Sequence, residues 1–135
     1  MTLFDDYGAY HRDPRNRLCH EIGIPLIVLA LEALLRSVAF GPVNLAALVT
    51  LAVIGYYFAL VRSEALLAAA ALIVLYLLAA FVTWPYALAA FVAGWIFQFV
   101  GHAYEGRKPA FLTNAVHLLI GPLWIAHLAV QRRHS

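Results

Sequence analysis

Cysteine is almost missing. Cys19 stands alone, which excludes an internal disulfide and any CxxC redox or metal site. Charge is scarce too, at 12% of residues, and no long basic run accompanies the net charge of +2, so nucleic acid is not an expected partner. There is no G-x-S-x-G elbow, no H-E-x-x-H helix and no glycine loop to cradle phosphate. The start, Met1-Thr2-Leu3-Phe4-Asp5-Asp6, is acidic and lacks an apolar h-region, so the first spanning segment is expected to act as its own insertion signal. No repeat, low-complexity linker or second domain is visible, and residues 1–135 read as a single domain.

Apolar residues take up what is left. They make 64% of the chain, with a mean hydropathy of +0.84. Those values point to an all-α integral membrane helical bundle with four or five transmembrane segments and an N-terminal polar helix. A bilayer core needs ~20 apolar residues. Expected spans cover approximately 25–40, 42–61, 65–83, 85–104 and 111–130. Gly41-Pro42, Arg62-Ser63-Glu64, Trp84-Pro85 and Gly106 to Pro109 mark the turns, with Trp84-Pro85 an interfacial anchor and break. Asp13-Pro14 is a helix start, with the Asp as N-cap, and Gly23 and Pro25 are expected to break that polar helix from the first span. Glu32 and Arg36, at i and i+4, suggest a structural ion pair. Gly121-Pro122 interrupts the last run and leaves open a re-entrant hairpin.

The polar residues inside these runs are the informative ones. Trp95, Gln98, His102 and Glu105 stand at i, i+3, i+7 and i+10, on one narrow helix face among Phe, Ile, Val, Ala and Gly. In hydrocarbon such a stripe faces a bundle interior, a cavity or a metal. Asn16 and His20 share a face four residues apart, and a bend before Pro14 would fold His11 back toward His20. Neutral imidazole is the commonest metal ligand and suits iron, copper and zinc. His117, on one face with Asn114, Gly121 and Trp124, is a candidate to line the same cavity. His127 is ~15 Å along a straight helix from His117 and is not expected to join the same ion. Cys19 beside His20 points about 100° away and is a poor candidate for a thiol nucleophile.

Topology brings the candidates to one level. Arg12, Arg15 and Arg17 precede the first span, Arg62 follows the second, and Arg107 and Lys108 follow the fourth. A cytoplasmic N-terminus satisfies the positive-inside rule for all three groups and puts His11, His20, His102 and Glu105 at one membrane face. Arg107 and Lys108 are topology determinants that could also hold a carboxylate headgroup. Arg132 and Arg133 fall on the outer side if all five runs span.

Two blocks carry a family resemblance: Tyr10-His11 with Asp13-Pro14-Arg15-Asn16 and His20, and Gly94 through His102 with Glu105, Pro109-Ala110 and Asn114. In their order and spacing the chain resembles the Mpo1-like proteins across nearly its whole length. The resemblance implies an iron(II)-dependent dioxygenase that shortens 2-hydroxy fatty acids by one carbon, the fatty acid α-oxidation reaction. It implies Fe(II) as cofactor, the hydroxy acid and O2 as substrates, membrane lipid as surroundings, and His11, His20 and His102 as iron ligands. His117 is a fourth candidate ligand, and Glu105, Gln98 and Asn16 would hold the ligand imidazoles. A bacterial inner membrane, with the site at its cytoplasmic face, is the expected location. The competing readings are a non-enzymatic lipid-binding bundle and a haem-binding bundle with two axial histidines.

Overall fold

The computed structural model describes Phe4, Gly8, Ala9, residues 11–106 and residues 116–133, the last stretch with side chains for 119–131 only. Among the described residues there are five helices: α1 (Pro14–Arg36), α2 (Leu45–Leu60), α3 (Arg62–Ala79), α4 (Trp84–Glu105) and α5 (Val116–Arg133). Strands β1 (Ala39–Phe40) and β2 (Val43–Asn44) make one antiparallel hairpin, with Ala39 opposite Asn44 and Phe40 opposite Val43. Gly41 turns it with φ of 66°, a conformation that costs other residues a steric penalty. The fold is a helical membrane bundle. α1, α3 and α4 are long and apolar enough to cross a membrane; α2 is a shorter apolar helix, as is the 119–131 stretch of α5.

α1 begins where the sequence places it. Asp13 is the N-cap and its carboxylate accepts the Arg15 N–H at 2.9 Å, with Pro14 in the first turn. It does not end at Gly23 or Pro25. The helix passes through both, so the expected polar helix and first span are one element that stops at Arg36. A packing contact explains Gly23. A Cβ there would stand 2.8 Å from the Gly94 carbonyl oxygen, and one on Gly94 would stand 2.6 Å from Ile27 Cγ1. Glycines on both helices let the α1 and α4 backbones close on each other, as small residues do in lipid. α1 and α4 are accordingly the most extensively packed pair.

Glu32 and Arg36 do not close to a direct ion pair, and each side chain bonds across the bundle instead. Thr50 Oγ1 donates to Glu32 at 2.6 Å, while Arg36 Nε donates to the Tyr76 carbonyl at 3.1 Å and its guanidinium lies over the Tyr76 ring. Tyr76 also accepts from Asn44, the N-cap of α2. This network sits where α1 ends, and the exposed Phe81, Trp84 and Tyr86 belong to the same end as interfacial anchors.

At the other end, Val61 alone joins α2 to α3 in an extended conformation. Tyr57, Ala65, Ala68, Leu72, Leu123 and Ala126 form the core between α2, α3 and α5. The Tyr57 hydroxyl donates to the Leu119 carbonyl at 2.7 Å and ties α5 to α2. α5 runs unbroken through Pro122, so Gly121-Pro122 does not reverse the chain into a hairpin.

Candidate metal centre

α1 starts and α4 ends at the same place, so the first turns of one face the last turns of the other. His20 lies on the second turn of α1 and His102 on the last turn of α4. His11 precedes the Asp13 cap, where the chain has turned back. The three imidazoles are all buried, and one nitrogen from each lies within 4.8 Å of the other two. His11 Nε2 and His20 Nε2 are 2.9 Å apart, and the rings meet edge to face. His102 completes the triangle, its ring centroid 5.0 Å from that of His11 and 4.8 Å from that of His20.

Backbone contacts fix which nitrogens face inward. His20 Nδ1 is 3.0 Å from the Asn16 carbonyl oxygen. A carbonyl only accepts, so this bond puts the proton on Nδ1 and leaves the Nε2 lone pair of a neutral His20 directed at His11. That is the arrangement in which an outer hydrogen bond orients a metal-binding imidazole. Two nitrogens bound side by side to one ion at ~2.0–2.1 Å stand about 2.9–3.4 Å apart, and the His11–His20 separation of 2.9 Å falls in that range. His102 Nδ1 is buried with no hydrogen-bond partner among the described residues, a costly state that a bound ligand would relieve. The donor set fits a transition-metal ion.

The remaining polar residues frame this triangle. Glu105 accepts the Asp13 N–H at 2.9 Å and the Asn16 Nδ2 hydrogen at 3.2 Å, joining the end of α4 to the cap of α1. Its carboxylate thus steadies the turn that carries His11, where the sequence suggested a direct hold on an imidazole. Asn16 is fully buried and spans both helices, with its amide on Glu105 and its carbonyl on His20. Gln98 lies buried one turn from His102, with Nε2 unpartnered among the described residues. His117 belongs to α5, but its side chain lies outside the described residues, as does Asn114. His127 is elsewhere: its Nδ1 is 3.2 Å from Glu64 and its ring stacks on Phe4. Cys19 packs near Gly101 in the α1–α4 seam, where a Cβ on the glycine would stand 3.0 Å from Cys19 Cβ.

Arg17 escapes a reading of motifs, and Trp124 is legible there only as a member of the His117 face. Arg17 Nε donates to the His11 carbonyl at 2.5 Å, so a residue read only as a topology determinant anchors the ligand loop. Trp124, buried in α5, sets its ring 4.8 Å from that of His11 and closes the site from that side. Gly94 and Gly101 did carry a signal: glycines seven apart on the face that holds Gln98 mark a close helix approach.

Comparison with known proteins assigns the chain to a family. A family described as "2-hydroxy-palmitic acid dioxygenase Mpo1-like" matches residues 2–66 and 64–133. The chain belongs to the Mpo1-like family. Within it, the 2-hydroxy-palmitic acid dioxygenase MPO1 of Saccharomyces cerevisiae is 34% identical over 126 residues, which cover 88% of this chain and 72% of the yeast protein. No solved structure matches. All three clustered histidines fall inside the matched residues.

Proposed function

We propose that the protein is an iron(II)-dependent dioxygenase that shortens 2-hydroxy fatty acids by one carbon at the membrane interface. One observation carries the reading: three buried imidazoles converge at one end of an apolar bundle, in a chain whose family is described as 2-hydroxy-palmitic acid dioxygenase Mpo1-like. His11, His20 and His102 would hold the ion, and His117 is kept as a fourth donor to be tested by substitution. Iron bound there would supply the O2 chemistry that amino-acid side chains lack.

The chain's own residues have four tasks. Asn16 fixes the His20 tautomer through its carbonyl, and Glu105 with Arg17 fixes the loop bearing His11. Gln98 offers a buried amide beside His102, to an imidazole or to the acid's polar head. Trp124 and the α1–α4 seam exclude water, which strengthens every polar interaction inside. The site would lie at the cytoplasmic face of a bacterial inner membrane; Arg12, Arg15 and Arg17 at this end support the cytoplasmic side. Residues 1–135 would act as one Mpo1-like membrane domain.

The haem reading loses support from the same contacts. Axial histidines stand on opposite faces of a porphyrin, whereas these imidazoles touch one another. A non-enzymatic lipid-binding bundle is the remaining rival. The deciding experiment loads the detergent-purified protein anaerobically with ferrous iron and follows oxygen uptake with 2-hydroxypalmitate. Uptake with a product one carbon shorter, and none with palmitate, is expected. Iron-loaded protein that binds the acid and consumes no oxygen overturns the reading.

A further inference from the structure

An apolar groove of about 250 Å³ runs between α1, α3 and α5. The sequence explains why it is open. Ala68 and Ala71 of α3 and Ala126 and Ala129 of α5 line it, so short side chains leave the space unfilled. Alanines alone would let helices close, as the glycines do between α1 and α4. Here Pro25 of α1 and Pro122 of α5 also line the groove, both inside their helices. A proline ring bulges against its preceding turn and loosens the local backbone, which keeps the neighbours apart.

On α1 the groove begins one turn from the histidines. Ile24 in its wall stands one turn along α1 from His20, and both are buried. On α5, Pro122 and Ile125 face the groove, while Trp124 between them turns its ring to His11. Leu67 to Leu75 of α3 bound its length, which at ~1.5 Å per residue is ~12 Å. Leu67 is 40% exposed, so that rim opens outward.

We propose that this groove is the acyl subsite: it holds the unbranched chain segment next to the acid's head group. The identity of the head group rests on the function proposed above. A zigzag of ~1.52 Å bonds advances about 1.3 Å per carbon, so the groove takes roughly nine or ten methylenes. Longer chains continue past Leu75, at the end away from the histidines, into lipid. Lipid tails are as apolar as this lining, so the groove adds little affinity over the bilayer. Its contribution is orientation, with the polar head delivered to the histidines and branched or ring-bearing chains refused.

The test is photo-crosslinking of the full chain, as purified in detergent, with a 2-hydroxy fatty acid carrying a mid-chain diazirine. Adducts are expected on Leu72, Leu75 and Ala126, displaced by excess 2-hydroxypalmitate. Ala126→Phe should cut their yield roughly tenfold or more by filling the space. Leu77→Phe, on the exposed face of α3, should leave it unchanged. Ala71→Leu, at an exposed part of the rim, is the gentler filling and should also reduce the yield, whether or not Ala126→Phe folds. Adducts spread equally over Leu77 and Leu78 and not displaced, or a yield unchanged in Ala71→Leu, overturn the proposal and leave the groove to bilayer lipid. Crosslinking needs no oxygen turnover, so displaceable labelling without oxygen uptake upholds the subsite and overturns only the enzyme reading.

Discussion

His11 Nε2 and His20 Nε2 lie 2.9 Å apart although the residues are nine positions apart in sequence. On one straight helix they would point to opposite sides, about half a rotation and ~13 Å apart. The cap at Asp13 makes the contact possible, because it lets the chain turn back before α1 begins. Arg17 and Glu105 hold that turn, one by the His11 carbonyl and one by the Asp13 N–H.

Arg17→Ala should therefore weaken metal retention without touching a ligand. Outer partners of metal ligands typically contribute 10–100-fold in affinity, and a loss of that order is expected. Competition against a chelator on wild type and variant measures it; equal retention would remove Arg17 from the account.

Glu105→Gln and Glu105→Ala should separate. Glutamine keeps an acceptor for the Asp13 N–H and the Asn16 amide, and alanine keeps none. The alanine variant is expected to lose metal about 10–100-fold more readily than wild type, with glutamine in between. Identical behaviour of the two variants would mean that the carboxylate's acceptor role is irrelevant.

Glycine substitutions should have opposite signs at two sites. Gly94→Ala puts a Cβ 2.6 Å from Ile27 Cγ1 and 2.9 Å from the Gly23 carbonyl, so an overpacking cost of about 1–3 kcal/mol is expected. Gly55→Ala meets nothing within 4 Å and should gain about 0.5–1 kcal/mol of helix propensity. Thermal unfolding in one detergent compares them. A Gly94→Ala protein as stable as wild type would contradict the close α1–α4 approach.

Asp13 gives a pH signature. Its side-chain and backbone hydrogen bonds with Arg15 hold its carboxyl below the ordinary value of 3.8. A depressed folded-state pKa contributes stability that is present above the unfolded value and lost as pH falls through the folded one. Acid unfolding of wild type should thus gain a dependence below about pH 4 that Asp13→Asn lacks. The carboxylate keeps partial access to solvent, so the effect is small; matching acid profiles would remove it.

Much of this site was legible because its geometry is local or periodic. Gln98, His102 and Glu105 repeat with the helix, and Asp13-Pro14 announces a cap. What stayed hidden depends on contacts between elements. Nothing near Gly23 reveals that Gly94 will press on it, so a glycine that closes the α1–α4 seam reads as a helix break. Glu32 and Arg36 have ideal spacing for each other, yet Thr50 and Tyr76 reach them first from other helices. The pairing of His127 with Glu64 and the cover that Trp124 gives His11 need the position of α5, which no local pattern supplies.

The most direct test of the histidine site is metal content. Protein purified in detergent and reconstituted anaerobically with ferrous iron is measured as wild type, His20→Ala, His102→Ala and His127→Gln. About one iron per chain in wild type and in His127→Gln, with loss in the other two, is the expected result. No stoichiometric iron in wild type, or full retention in His20→Ala and His102→Ala, would contradict the account and leave a lipid-binding bundle in its place.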